Sequence, residues 1–202
     1  MALNTGIISR PVYPGLIPDP HAKSNLILAE GEGAQAVIDM GAKAPPGFFA
    51  RTTVLYCPSG VAEDGYTTQL ERLQPLALWV LPTTATALFR LQGVLQTATM
   101  GIRLYATGTE PFIGLVVQAG MAAGMDFKSI ITEHRGSAKR RVQCVHCKGF
   151  IEDVTTSIVA CTHCGLKLFV RDHYSRRLAA FQGVCVDAEA PGEVPPAEEI
   201  YQ

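Results

Sequence analysis

Two Cys-x-x-Cys pairs, Cys144-Val-His-Cys147 and Cys161-Thr-His-Cys164, stand thirteen residues apart in a chain of 202 residues. Two residues between the sulfurs let one tight turn aim both thiolates at a single ion, and two such turns complete a tetrahedron. Cys144, Cys147, Cys161 and Cys164 are therefore assigned as metal ligands. Four thiolates suit one zinc ion, which is then saturated and structural, with no open catalytic position; iron is the second choice for the same cage. Gly149 and Gly165 follow the pairs, where a turn often needs a positive φ. Between the pairs, Phe150-Ile-Glu-Asp-Val and Ser157-Ile-Val-Ala predict a hairpin that brings the two turns together. His146 and His163 lie inside the pairs and are read as exposed turn residues, because the sulfurs already fill the site. Cys57 and Cys185 are left as strand or core thiols.

Charge separates along the chain although the net is only −1. Residues 137–185 hold eight Lys/Arg against three Asp/Glu, and residues 186–202 hold five acids and no base. A four-thiolate zinc site removes two of those five local positive charges, so nucleic-acid binding is disfavoured. The acidic, Pro-bearing tail either folds on its own module or docks on a partner. The most apolar region, 76–95, is interrupted by Pro82, Thr83, Thr84, Arg90 and Gln92 and is too broken to span a bilayer. The first twenty residues carry Pro11, Pro14, Pro18 and Pro20 and lack the basic start and apolar core of a signal peptide. A cytoplasmic chain with no membrane partner is expected, and in a reducing compartment clustered cysteines bind metal.

Upstream, strand-like runs alternate with helical periods. Ser24–Ala29, Thr52–Cys57, Ala77–Leu81, Ile102–Thr107 and Ser129–Glu133 are short, apolar and rich in β-branched residues. Between them lie Ala36, Val37 and Met40 on one helical face, a helix capped by Thr83 and Thr84, and a helix from Glu110 to Gly124. This order predicts an α/β domain with a parallel sheet covered by helices on both faces, followed by a small β ribbon. The expected organisation is a Pro-rich leader over 1–23, an α/β domain over 24–136, a four-cysteine ribbon over 137–185 and an extended acidic tail over 186–202. Arg171, His173, Tyr174, Arg176 and Arg177 concentrate donors and aromatics within seven residues and are candidates for docking a larger partner. No nucleophile or cofactor motif accompanies them, and no catalytic residue is assigned.

Two resemblances add to this reading. Leu26-Ile-Leu-Ala-Glu-Gly-Glu-Gly33, Leu104-Tyr-Ala-Thr-Gly108 with Thr-Glu-Pro-Phe112, and the stretch 129–136 resemble the nicotinamide-binding half of ferredoxin–NADP reductases and phthalate dioxygenase reductases. The resemblance implies a ferredoxin-reductase-like sheet, with Gly31 and Gly33 as weak cofactor-binding candidates. This chain departs from the pattern: Thr107 replaces the family cysteine, and Glu30 and Glu32 carry carboxylates where phosphates would approach. The double knuckle followed by Leu168-Phe-Val-Arg-Asp-His-Tyr-Ser-Arg-Arg-Leu-Ala-Ala-Phe181 and Gly183-Val-Cys-Val-Asp-Ala-Glu189 resembles the A subunits of bacterial dimethylamine monooxygenases. That family implies a small zinc-ribbon subunit of an NADPH- and oxygen-dependent assembly that turns dimethylamine into methylamine and formaldehyde. FMN and an iron–sulfur cluster would sit on a reductase subunit and haem on an oxygenase subunit, with this chain docking between them. The competing readings are an electron-transfer or nucleotide-binding reductase component, and a nucleic-acid-binding zinc ribbon.

Overall fold

A computed structural model describes residues 9–59 and 65–202. Residues 1–8 of the leader lie outside the described residues. The chain forms two compact units, one of Tyr13–Gly136 and one that joins residues 9–12 to Ser137–Gln202.

The first unit is an α/β sandwich. Its strands are β1 (Ser24–Glu30), β2 (Thr52–Cys57), β3 (Ala77–Val80), β4 (Ile102–Gly108) and β5 (Ile130–His134). They run parallel in the order β3-β2-β1-β4-β5, so the order reverses between β1 and β4. Helices α1 (Gly33–Gly41), α2 (Tyr66–Arg72), α3 (Thr84–Gln96) and α4 (Glu110–Ala122) fill the connections. Successive strand residues face opposite sides, and the core divides accordingly. Leu26, Leu28, Leu55, Leu104 and Ala106 meet Leu91, Phe112 and Val116 of α3 and α4. Ile27, Ala29, Val54, Tyr56 and Tyr105 meet Val37 and Met40 of α1, with Leu70 of α2. Cys57 lies fully buried among the first group, as a core thiol. Helix α2 was not expected from sequence; it is seven residues long and buries only Leu70, too little to give a period.

Local chemistry sets the helix ends. Thr83 closes α3 with a reciprocal cap: its hydroxyl accepts from the Thr86 N–H at 3.1 Å, and the Thr86 hydroxyl accepts from the Thr83 N–H. Helix α4 starts at Glu110 with Pro111 in its first turn, where a missing N–H costs nothing. Residues 13–19 strap the free edge of β5: Gly15 N–H donates to the Thr132 carbonyl at 3.1 Å and Leu16 N–H to the Glu133 carboxylate at 2.7 Å. Asp19 pins the strap to β4 through Arg103 at 2.5 Å.

The second unit is a five-stranded sheet of β6 (Arg140–Cys144), β7 (Phe150–Val154), β8 (Ile158–Ala160), β9 (Lys167–Ser175) and β10 (Ala180–Cys185), ordered β7-β6-β10-β9-β8. The hairpin expected between the cysteine pairs does not form, and β7 and β8 occupy opposite edges of the sheet. Each pair is instead the turn of its own hairpin, β6 with β7 and β8 with β9. A tight turn that aims two sulfurs one way already reverses the chain, so the hairpin belongs at the knuckle and not between knuckles. Strand β10 holds the halves together, antiparallel to β9 and parallel to β6. The acidic tail folds back on this sheet: Ser157 N–H donates to the Glu198 carbonyl, and the N–H groups of Ile200 and Tyr201 donate to the Thr155 carbonyl at 2.9 and 2.8 Å. Tyr201 is buried with Val142, Val170 and Phe181. None of the helices among the described residues is long and apolar enough to cross a membrane.

Candidate metal centre

The two knuckles share one backbone pattern. The Cys144 N–H donates to the Gly149 carbonyl and the Lys148 N–H to the Cys144 carbonyl, both at 2.9 Å. In the second knuckle the Cys161 N–H donates to the Leu166 carbonyl at 2.8 Å and the Gly165 N–H to the Cys161 carbonyl at 2.9 Å. The fifth residue of each turn is left-handed, Lys148 at φ 64° and Gly165 at φ 77°. The positive φ expected at Gly149 therefore falls one residue earlier, on Lys148. Gly149 is small for a different reason. A β-carbon there would lie 2.3 Å from the His163 ring, whose Nε2 sits 2.9 Å from the Phe150 carbonyl. A carbonyl only accepts, so Nε2 carries the proton. His163 is exposed yet ties the second knuckle to the hairpin of the first.

Two matching turns facing each other converge four sulfurs. The Sγ atoms of Cys144, Cys147, Cys161 and Cys164 all lie within 4.8 Å of one another. Cys144 and Cys164 are separated by 3.9 Å and Cys147 and Cys161 by 3.6 Å. A tetrahedron with metal–sulfur bonds of about 2.3 Å has edges of about 3.8 Å, so the cluster fits a tetrahedral thiolate-bound ion such as zinc. Neither histidine belongs to this group, and Cys185 stands outside it, with its Sγ 3.2 Å from Asp187.

The surroundings set unequal proton affinities. Burial opposes ionisation of Cys161, but N–H groups of Cys164 and His163 and the thiols of Cys164 and Cys147 outweigh it and bring its pKa down to about 6. The Leu166 N–H draws Cys164 down, while burial and the sulfurs of Cys161, Cys147 and Cys144 push it up to about 12. A divalent ion binding the four sulfurs displaces the protons they carry.

A second cluster in this unit was not read from sequence. Arg140, on the inward face of β6 with Val142 and Cys144, is buried. Its guanidinium carbon lies 3.9 Å from the Phe181 ring centroid and 3.9 Å from that of Tyr201, and Nη2 bonds Asp172 at 2.8 Å. Arg10 reaches the other Asp172 oxygen at 2.5 Å. Burial works against the Asp172 carboxylate, but the bonds from Arg10 and Arg140 prevail and hold its pKa below the ordinary 3.8. The available signal was an arginine at an inward position of an alternating strand, and one tyrosine ending an acidic stretch.

The docking candidates lie on β9 and in the turn that follows it. Arg171, His173 and Tyr174 are half-buried on β9, and Tyr174 sets its ring edge-on to Phe181 at 5.1 Å. Arg176 and Arg177 are exposed in the turn before β10. In the α/β unit, Gly31 turns the chain at φ 49° after β1, and its N–H donates to the Cys57 carbonyl at 2.8 Å. A β-carbon on Gly33 would lie 2.5 Å from the Thr107 carbonyl oxygen, so this glycine lets α1 start against β4.

Comparison with known proteins adds two family matches and several partial ones. The N-terminal domain of "Dimethylamine monooxygenase subunit DmmA-like" proteins matches residues 5–130, and the C-terminal domain matches residues 141–184. The chain is 36% identical over 120 residues to the heme-dependent oxidative N-demethylase delta subunit of Ectopseudomonas mendocina (strain ymp), covering 59% of this chain and 69% of that one. Among solved structures it is similar to an intact type IV self-sufficient cytochrome P450 monooxygenase (18% identity, TM-score 0.47, 80% of this chain and 20% of that chain). It is also similar to a flavohemoglobin from Malassezia yamatoensis with bound FAD and heme (12% identity, TM-score 0.38, 58% of this chain and 33% of that chain). The chain thus spans a fifth to a third of the length of those two structures.

Proposed function

The chain belongs to the DmmA-like family of dimethylamine monooxygenase subunits, and on that footing we propose that it is the metal-ribbon accessory subunit of an N-demethylating monooxygenase. The assembly takes electrons from NADPH and converts dimethylamine to methylamine and formaldehyde in the cytoplasm. FMN, an iron–sulfur cluster and haem reside on a reductase subunit and an oxygenase subunit, and this chain docks between them. The observation that carries the reading is the closed cage of Cys144, Cys147, Cys161 and Cys164 on a chain matched along both its parts by the family. A tetrahedral zinc held by four thiolates has no open position, so it organises β6–β7 and β8–β9 and performs no chemistry on substrate. Arg171, His173, Tyr174, Arg176 and Arg177 supply the docking contacts, with the exposed pair Arg176 and Arg177 making first contact.

The test is reconstitution. Purified reductase and oxygenase subunits are assayed for dimethylamine-dependent NADPH oxidation with and without this chain, after metal analysis. One zinc per colourless chain and a loss of coupled activity on omission are expected. Full activity without the chain refutes the accessory role. Visible absorption that dithionite bleaches in the isolated chain replaces it with an electron-carrying one.

A further inference from the structure

In an open parallel sheet, phosphate groups are received beyond the C-terminal ends of the strands, where strand order reverses. Here that place lies between β1 and β4, and it holds the side chain of Glu30, the last residue of β1. One carboxylate oxygen accepts from the Thr109 hydroxyl at 2.5 Å and the Thr109 N–H at 3.2 Å. The other accepts from the Ser59 hydroxyl at 3.0 Å and the Thr84 hydroxyl at 3.2 Å. Ser59 follows β2, Thr84 opens α3 after β3, and Thr109 caps α4 after β4. The segments that leave β2, β3 and β4 therefore converge on this side chain at the end of β1.

The backbone closes around it. A β-carbon on Gly108 would lie 2.8 Å from the Glu30 β-carbon and 3.1 Å from the Glu30 carbonyl oxygen. Thr109, although it caps α4, makes no side-chain bond to its own helix. Its hydroxyl is turned to Glu30 instead. The donors that a bound phosphate would need are thus already bonded to an internal anion.

We propose that Glu30 is a built-in substitute for a ligand phosphate. It occupies the anion site of the α/β unit, ties the ends of the strands together, and excludes dinucleotides from the wild-type chain. The unit serves as a rigid scaffold and does not bind NADPH. Removing the carboxylate leaves Ser59, Thr84 and Thr109 as a receptor for phosphate-bearing anions. This inference stands on the α/β unit alone and holds whichever assembly the chain joins.

The experiment is calorimetric titration of the full chain with NADPH and, separately, with inorganic pyrophosphate at low salt. The wild type gives no saturable heat with either at millimolar concentration. E30G gains pyrophosphate affinity by at least about tenfold, equivalent to about 1.4 kcal/mol, and adding T109V to it removes the gain. E30Q, which keeps the size and loses the charge, gives a smaller gain in the same direction and serves if E30G does not fold. Saturable NADPH binding to the wild type overturns the proposal. So does pyrophosphate binding no tighter in the folded variants than in the wild type.

Discussion

Replacing Arg140 by methionine tests how the tail is held. Methionine keeps most of the apolar stem and removes the cation from between Phe181 and Tyr201. Each cation–π contact is worth about 0.5–2 kcal/mol, toward the upper end when desolvated. The bond to Asp172 is a charge-assisted one of about 1.5–3 kcal/mol. Against this, Asp172 keeps Arg10, an exposed partner of small worth. Arg140 Nη1 is also buried without a hydrogen-bond partner among the described residues, and its removal relieves that cost. The net expectation is about 3 kcal/mol of destabilisation of this unit. Asp172 has a depressed pKa, so its share of the stability is complete above the ordinary 3.8 and drains away only below it. Measurement near neutral pH therefore sees the whole effect. The assay is urea unfolding combined with amide hydrogen exchange at Ile200 and Tyr201, whose N–H groups bond the Thr155 carbonyl. Both amides are expected to lose protection in Arg140→Met before the rest of the sheet does. Unchanged exchange at both amides, with stability within about 0.5 kcal/mol of wild type, would show that backbone pairing alone retains the tail.

Two further outcomes follow from the metal centre. Cys161→Ser removes the thiol whose pKa is brought down to about 6, and bound metal by elemental analysis is expected to fall to background. The second unit then loses its folded signal while the α/β unit keeps its own, since metal binding contributes on the order of 10 kcal/mol to small sites of this type. In the metal-free wild type, zinc uptake slows as pH falls through about 6, because the Cys161 thiolate is present above that value and protonated below it; stopped-flow uptake independent of pH between 5 and 8 would contradict the assignment. His163→Ala breaks the tie to the Phe150 carbonyl and is expected to speed metal release to a chelator by about tenfold. His163→Gln keeps a donor and restores much of the difference, whereas equal release rates in all three proteins would remove His163 from the site.

The convergence of four sulfurs was legible because each Cys-x-x-Cys turn aims two thiolates one way and two such turns complete a tetrahedral set. Strands β1 to β5 were legible because each is a short apolar run ended by Gly, Pro or a cap such as Thr83. Pairing in the second sheet was not. Which of β6 to β10 become neighbours is decided by contacts such as Gly183 with Cys144, about forty residues apart in sequence. A periodicity within one strand carries no information about such partners. The burial of Arg140 is not legible because its charge argues for the surface, and the two rings and the Asp172 carboxylate that make it tolerable come from distant segments. In the sequence Glu30 reads as an obstacle to phosphate; its four donors come from three other segments and are visible only when the sheet has assembled.

Ser9 pairs with β9, donating to the Asp172 carbonyl at 2.7 Å and accepting from the Tyr174 N–H at 3.0 Å. The second unit therefore uses chain from before the α/β unit as well as after it, which makes the α/β unit an insertion within a host. A fragment cut to residues 141–184, the span that the C-terminal family domain matches, would omit Ser9, Arg10, Arg140 and Tyr201. A fragment that keeps this unit whole needs residues before Tyr13 as well as Ser137–Gln202. Ribosomal synthesis has a corresponding order: the host's first segment emerges early and has to wait, unpaired, until β9 has been made.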